Sequence, residues 1–82
     1  MHQLIEKILA GRSDANFEFS DLRPVLDTLG FVERIKGSHH VFNRENIDEI
    51  INIQPNRSQA KLYQVKQVRN TILKYRLGVG DE

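Results

Sequence analysis

An 82-residue chain with 39% apolar and 28% charged residues has the composition of an ordinary globular domain with a single core, unlike a disordered or fibrous chain. It contains no cysteine, which excludes disulfides, thiolate metal sites and cysteine nucleophiles and leaves histidine and carboxylates for any acid–base or metal chemistry. The formal charge of +1 hides an asymmetry, because Arg57, Lys61, Lys66, Arg69, Lys74 and Arg76 fall between Pro55 and Gly80 with no acid among them.

Such a cationic segment suits phosphates or an acidic protein partner, and it would also suit a solvated helix face. No apolar run approaches the roughly 18 residues of a membrane helix. Glu6 and Lys7 interrupt the apolar pattern of residues 1–10, unlike the core of a signal peptide. The expected location is the cytoplasm, with no membrane partner.

Leu4, Ile5, Ile8 and Leu9 recur at helical spacing and Gly11 follows them, which predicts a short amphipathic helix over 1–10. The phenylalanine alternation of Ala15-Asn16-Phe17-Glu18-Phe19 is too short to assign and reads as a loop or edge segment. Ser20 before Asp21 offers a cap and a favourable anion, and Leu22, Val25, Leu26 and Leu29 then follow at i, i+3, i+4 and i+7, predicting a helix over 21–29. Pro24 falls in the first turn of that helix and Gly30 at its end.

Beyond Gly30 the period changes. Segments 31–36 and 39–43 read as two strands joined by a tight Gly37-Ser38 turn, and Glu49-Ile50-Ile51-Asn52-Ile53-Gln54 as a third strand stopped by Pro55-Asn56. Leu62, Val65, Val68, Ile72 and Tyr75 restore helical spacing over 61–77, with Gly78 as the stop. The order α-α-β-β-β-α implies an α+β fold in which a three-stranded antiparallel sheet carries helices on one face and leaves the other open, a double-stranded-RNA-binding-like layout with an extra N-terminal helix. One domain over 1–82 is expected.

His39 and His40 are adjacent, and adjacent strand residues point to opposite faces. They therefore do not share a metal in a regular strand, and no further ligand lies near them in sequence. No cofactor is expected. If Phe42 faces the core, His40 shares its parity and His39 lies on the open face with Val41 and Asn43. An imidazole, with an ordinary pKa of about 6.5, can take a proton from a ribose 2′-hydroxyl or give one to a leaving oxygen. Gly37 allows close backbone approach, Ser38 offers a hydroxyl and an N–H, and Arg34 and Lys36 supply cations on the neighbouring strand. A strand histidine beside a Gly-Ser turn is also compatible with a plain surface position. His2 sits at the terminus, and the carboxylates are scattered without the pairing of a glycosidase or two-metal nuclease.

Helix 21–29 with Gly30-Phe31, the hairpin Lys36-Gly37-Ser38-His39-His40-Val41-Phe42, the strand Ile50-Ile51-Asn52-Ile53-Gln54 and the basic last helix with Tyr63-Gln64-Val65-Lys66-Gln67-Val68 together resemble the HicA toxin family, over roughly residues 18–77. The resemblance implies an mRNA-cleaving, metal-independent endoribonuclease of a type II toxin–antitoxin system, inhibited by a HicB-like antitoxin that covers the active face. It implies that His39, the residue directly after Gly-Ser, is catalytic. RNA contacts are expected from Lys36, Gly37, Ser38, Lys66, Arg69 and Lys74. Residues 1–10 are additional to the shortest family members. Two other readings remain: a non-catalytic RNA- or protein-binding module on the same fold, and a DNA-binding regulator reading base edges with Gln64, Gln67, Arg69 and Asn70.

Overall fold

The structure is a computed structural model that describes residues 1–78; residues 79–82, the tail of the domain expected over 1–82, lie outside it. Three helices and three strands follow in the order α1 (His2–Ala10), α2 (Phe19–Thr28), β1 (Val32–Lys36), β2 (His39–Asn43), β3 (Ile51–Ile53) and α3 (Leu62–Tyr75), with a single 3-10 turn at Asp14–Asn16. The sheet is antiparallel with strand order β1-β2-β3. This is the α+β architecture that the change of period along the chain implies.

Burial divides β2 and β3 by parity, whereas β1, at the sheet edge, is exposed apart from the half-buried Glu33. Ile51 and Ile53 on β3 and Phe42 on β2 are fully buried against Leu22, Val25 and Leu26 of α2 and Val65, Val68 and Ile72 of α3. The register pairs Glu33 with Phe42 and Ile35 with His40, and directly opposed residues of an antiparallel pair share a face. Glu33, Ile35, His40 and Phe42 thus share the helix side, although Ile35 lies beyond the helices and is exposed. Val32, Arg34, Lys36, His39, Val41, Asn43 and Asn52 form the other, on which only Val41 is partly covered. The sheet has no bulge at His39 and His40, because the pairing continues without interruption from Val32↔Asn43 to Lys36↔His39.

Helix α1 is part of the core. Ile8 is fully buried and Ile5 nearly so, and Gly11 ends the helix at φ 74, where a side chain would meet the Arg69 guanidinium. Helix α2 differs from expectation at its start. It begins at Phe19, with Glu18 at the N-cap and no side-chain cap, so Ser20 is inside the helix. The reason is tertiary: Ala60 N donates to Phe17 O at 2.9 Å and Phe19 N donates to Ser58 O at 2.9 Å, so the loop before α3 fixes the chain just upstream of Ser20. The segment read as a loop or edge is this clasp, with Phe17 fully buried. Pro24 consequently lies inside the helix. The carbonyl it cannot satisfy belongs to Ser20, an exposed residue open to water.

The end of α2 follows expectation. Gly30 N donates to Asp27 O and Phe31 N to Leu26 O, both at 3.0 Å, and Gly30 takes φ 93, the paired closure that a C-terminal glycine permits. Helix α3 stops at Tyr75, two residues short of expectation. Arg76 takes the left-handed conformation at φ 55, while Leu77 N closes on Ile72 O at 3.0 Å, which carries Leu77 back into the core.

Candidate functional site

The β1–β2 turn sets the site. Gly37 has φ 59, the left-handed value a two-residue hairpin needs at its first central position. A Cβ there would meet no atom within 4 Å, so it is backbone conformation, not space, that favours glycine. The turn places Lys36 directly opposite His39 on the open face. Ser38, at the tip, accepts a hydrogen bond on Oγ from Gln54 Nε2 at 3.1 Å, which joins the turn to the chain beyond β3.

His39 is exposed, and its Nδ1 lies 3.1 Å from Asn52 Oδ1. A carbonyl oxygen only accepts, so Nδ1 is the donor of this bond and the neutral ring keeps its lone pair on Nε2. This is the arrangement of an oriented general base: one ring nitrogen anchored, the other available. Arg34, exposed on the same face, adds a second cation two pairs along β1 from Lys36.

Beside His39, β3 and the first half of α3 border an open cavity of about 260 Å³. Asn52, Gln54, Gln64 and Gln67, with Ile50 and Tyr63, line it together with His39. Gln64 is 1% exposed; its Oε1 accepts from Lys61 N at 2.8 Å, closing the first turn of α3, while its Nε2 is buried without a hydrogen-bond partner. The residues around His39 that sequence reasoning left out of the site, Asn52, Gln54 and Tyr63, carried a usable signal. Asn52 and Gln54 alternate with Ile51 and Ile53, so parity alone sends them to the face opposite the core.

His40 points the other way. It is packed against Phe19, ring centroids 4.6 Å apart, and its Nδ1 lies 2.6 Å from Glu33 Oε2, while Arg23 Nε donates to Glu33 Oε1 at 2.8 Å. Burial pushes the Glu33 carboxyl up, but the bonds from His40 and Arg23 outweigh it and hold the group below its usual range. The two neighbouring histidines thus have unrelated surroundings.

The six residues expected to contact RNA separate into two groups. Lys36, Gly37 and Ser38 surround His39, and Lys66 is exposed on α3 one turn beyond Tyr63. Arg69 and Lys74 are not brought to this surface. Arg69 is turned toward α1, where Nη1 donates to both Asp14 oxygens at 3.0 and 2.8 Å and to Ile8 O at 3.3 Å. The pair is largely buried, with Asp14 6% exposed, because Arg69 lies on the helix flank that packs against α1. Lys74 sits two turns beyond Gln67 with Nζ 2.8 Å from Glu49 Oε2, and Tyr75 donates to Glu49 Oε1 at 2.5 Å.

Among the described residues no group of three or more His, Asp or Glu gathers in metal-binding proximity, and no helix is long and apolar enough to cross a membrane. No family model, no curated protein and no solved structure matches the chain.

Proposed function

We propose that this chain is a HicA-like toxin, a metal-independent endoribonuclease that cleaves mRNA across the open face of a double-stranded-RNA-binding-like fold and is silenced by a HicB-like antitoxin. The observation that carries this reading is the exposed His39 with Nδ1 tied to Asn52 Oδ1 and Lys36 directly across the hairpin. RNA supplies its own nucleophile, so the protein has only to move protons and balance charge. His39 Nε2 takes the 2′-hydroxyl proton; the 2′-oxygen bonds to phosphorus, the bond to the 5′-oxygen breaks, and that oxygen takes a proton from water. The imidazolium then returns its proton to the hydroxide so formed. Lys36 offsets the negative charge that grows on the phosphoryl oxygens. The products are a 2′,3′-cyclic phosphate and a 5′-hydroxyl.

The test is incubation of mRNA-like RNA with the wild-type protein and with His39→Ala in buffer containing EDTA. Cleavage by the wild type alone, with those two chain ends, supports the reading. Cleavage that disappears on chelation and returns with a divalent cation removes the metal-independent mechanism, and equal cleavage by His39→Ala removes His39 from the chemistry. RNA bound but never cut would make the chain a binding module on the same fold.

A further inference from the structure

We infer that the cavity between β3 and α3 is a nucleobase-binding pocket that gives the ribonuclease a base preference at a nucleotide next to the scissile phosphate; this rests on the reading of His39 as the cleaving residue.

The cavity is polar, but apart from the His39 imidazole its lining carries no Lys, Arg, Asp or Glu. Charge-free amide surface is suited to the edge of a base and poorly suited to a phosphate, which selects cations and backbone N–H groups. Its amides are only partly used. Asn52 spends Oδ1 on His39 and Gln54 spends Nε2 on Ser38, which leaves Asn52 Nδ2 as a donor and Gln54 Oε1 as an acceptor. Gln67 makes only a long bond of 3.5 Å from Nε2 to Ile50 O, so its Oε1 is a second acceptor.

Gln64 supplies the strongest indication of a ligand. A buried amide nitrogen with no partner costs free energy that a bound acceptor would recover; Gln64 lines this cavity, and its Nε2, buried beneath the surface, has no hydrogen-bond partner. Tyr63, 62% exposed on the same rim, provides the aromatic platform on which single-stranded RNA bases stack. The volume, about 260 Å³, lies below the range of drug-sized pockets and suits a single base. His39 lines the same cavity, so a base held there keeps its own ribose and phosphate within reach of the imidazole.

The experiment is a cleavage map on RNA of randomised sequence, using wild type, Tyr63→Ala, Tyr63→Phe, Gln67→Ala and, as a control on the same helix outside the cavity, Leu73→Ala. The expected wild-type map shows roughly a tenfold or larger spread among the four bases at one position beside the cut. Tyr63→Ala and Gln67→Ala flatten that spread while cleavage still requires His39, Tyr63→Phe keeps the ring and the preference, and Leu73→Ala matches wild type. Unchanged base preference in both Tyr63→Ala and Gln67→Ala overturns the pocket and leaves the ribonuclease reading intact. If the wild type cuts no RNA, that reading fails, and the pocket is tested separately by titrating the four nucleoside 5′-monophosphates and inorganic phosphate against the side-chain amide NMR signals of Gln64 and Gln67. Base-dependent shifts support a nucleobase site; identical shifts with phosphate alone, or none, overturn it.

Discussion

His39 and His40 show how far adjacent identical residues can diverge when a strand sends them to opposite faces. His39→Ala removes an exposed ring without opening the core, so stability should change by about 0.5 kcal/mol or less, while RNA cleavage should fall about a hundred- to ten-thousand-fold, the usual cost of losing a general acid or base. Thermal melts and single-turnover cleavage on the same preparation check both halves. His40→Ala should do the opposite: loss of the Phe19 contact and the Glu33 bond lowers the melting temperature, and activity falls only as far as the folded fraction does. The parity of these two residues was legible in the sequence, because Phe42 fixes which side of β2 faces inward. Their partners were not. Asn52 reaches His39 and Glu33 reaches His40 through strand register, which no local pattern specifies.

At the scale of elements, the sequence marked helix interiors better than helix ends. Helix α2 starts where the loop before α3 clasps Phe17 and Phe19, so its boundary depends on residues about forty positions away; Ser20-Asp21 was a sound local signal overridden by tertiary hydrogen bonds. The same holds for α1, whose apolar face was visible but whose docking on α3 through Arg69 was not. Ile8→Ala should cost about 2–5 kcal/mol as a buried large-to-small change, and Asp14→Ala about 3 kcal/mol or more, since it leaves Arg69 without its partner in a largely buried place. Chemical denaturation of both variants measures this. At the far end of α3, bonds from Lys74 and Tyr75 hold the Glu49 carboxyl well below its usual value, at about 2. A depressed folded-state value means that this tie stabilises fully above about pH 4.5 and is lost as pH falls toward 2. Acid titration of stability should therefore show a shallower loss between pH 5 and 2 in Glu49→Gln than in wild type, a modest difference that added salt reduces.

Across the whole molecule, the cationic C-terminal third does not act as one surface. Arg69 and Lys74 are matched to Asp14 and Glu49, whereas Lys36, Arg34 and Lys66, drawn from both halves of the chain, are exposed. Counting basic residues along the sequence located positive charge correctly but could not pair it. RNA binding by Lys36→Ala should show a salt dependence weakened by about 0.7 in the log–log slope, the contribution of one phosphate contact to a single strand, with no change in melting temperature. Arg69→Ala should instead melt early. Filter binding from low to moderate salt, alongside calorimetry, separates the two effects.

The bonds from Arg69 to Asp14 and Ile8 span 55 and 61 residues of sequence, which bears on the order in which a growing polypeptide matures. While the ribosome is still making the hairpin, α1 has no guanidinium to dock on, Phe17 lacks the Ala60 amide, and the wall beside His39 formed by Tyr63 and Gln67 does not yet exist. Helix α3 is the last described element to be synthesised, and it completes both the core and the cavity. The nascent chain therefore carries His39 on an unfinished scaffold until α3 has been made and has docked.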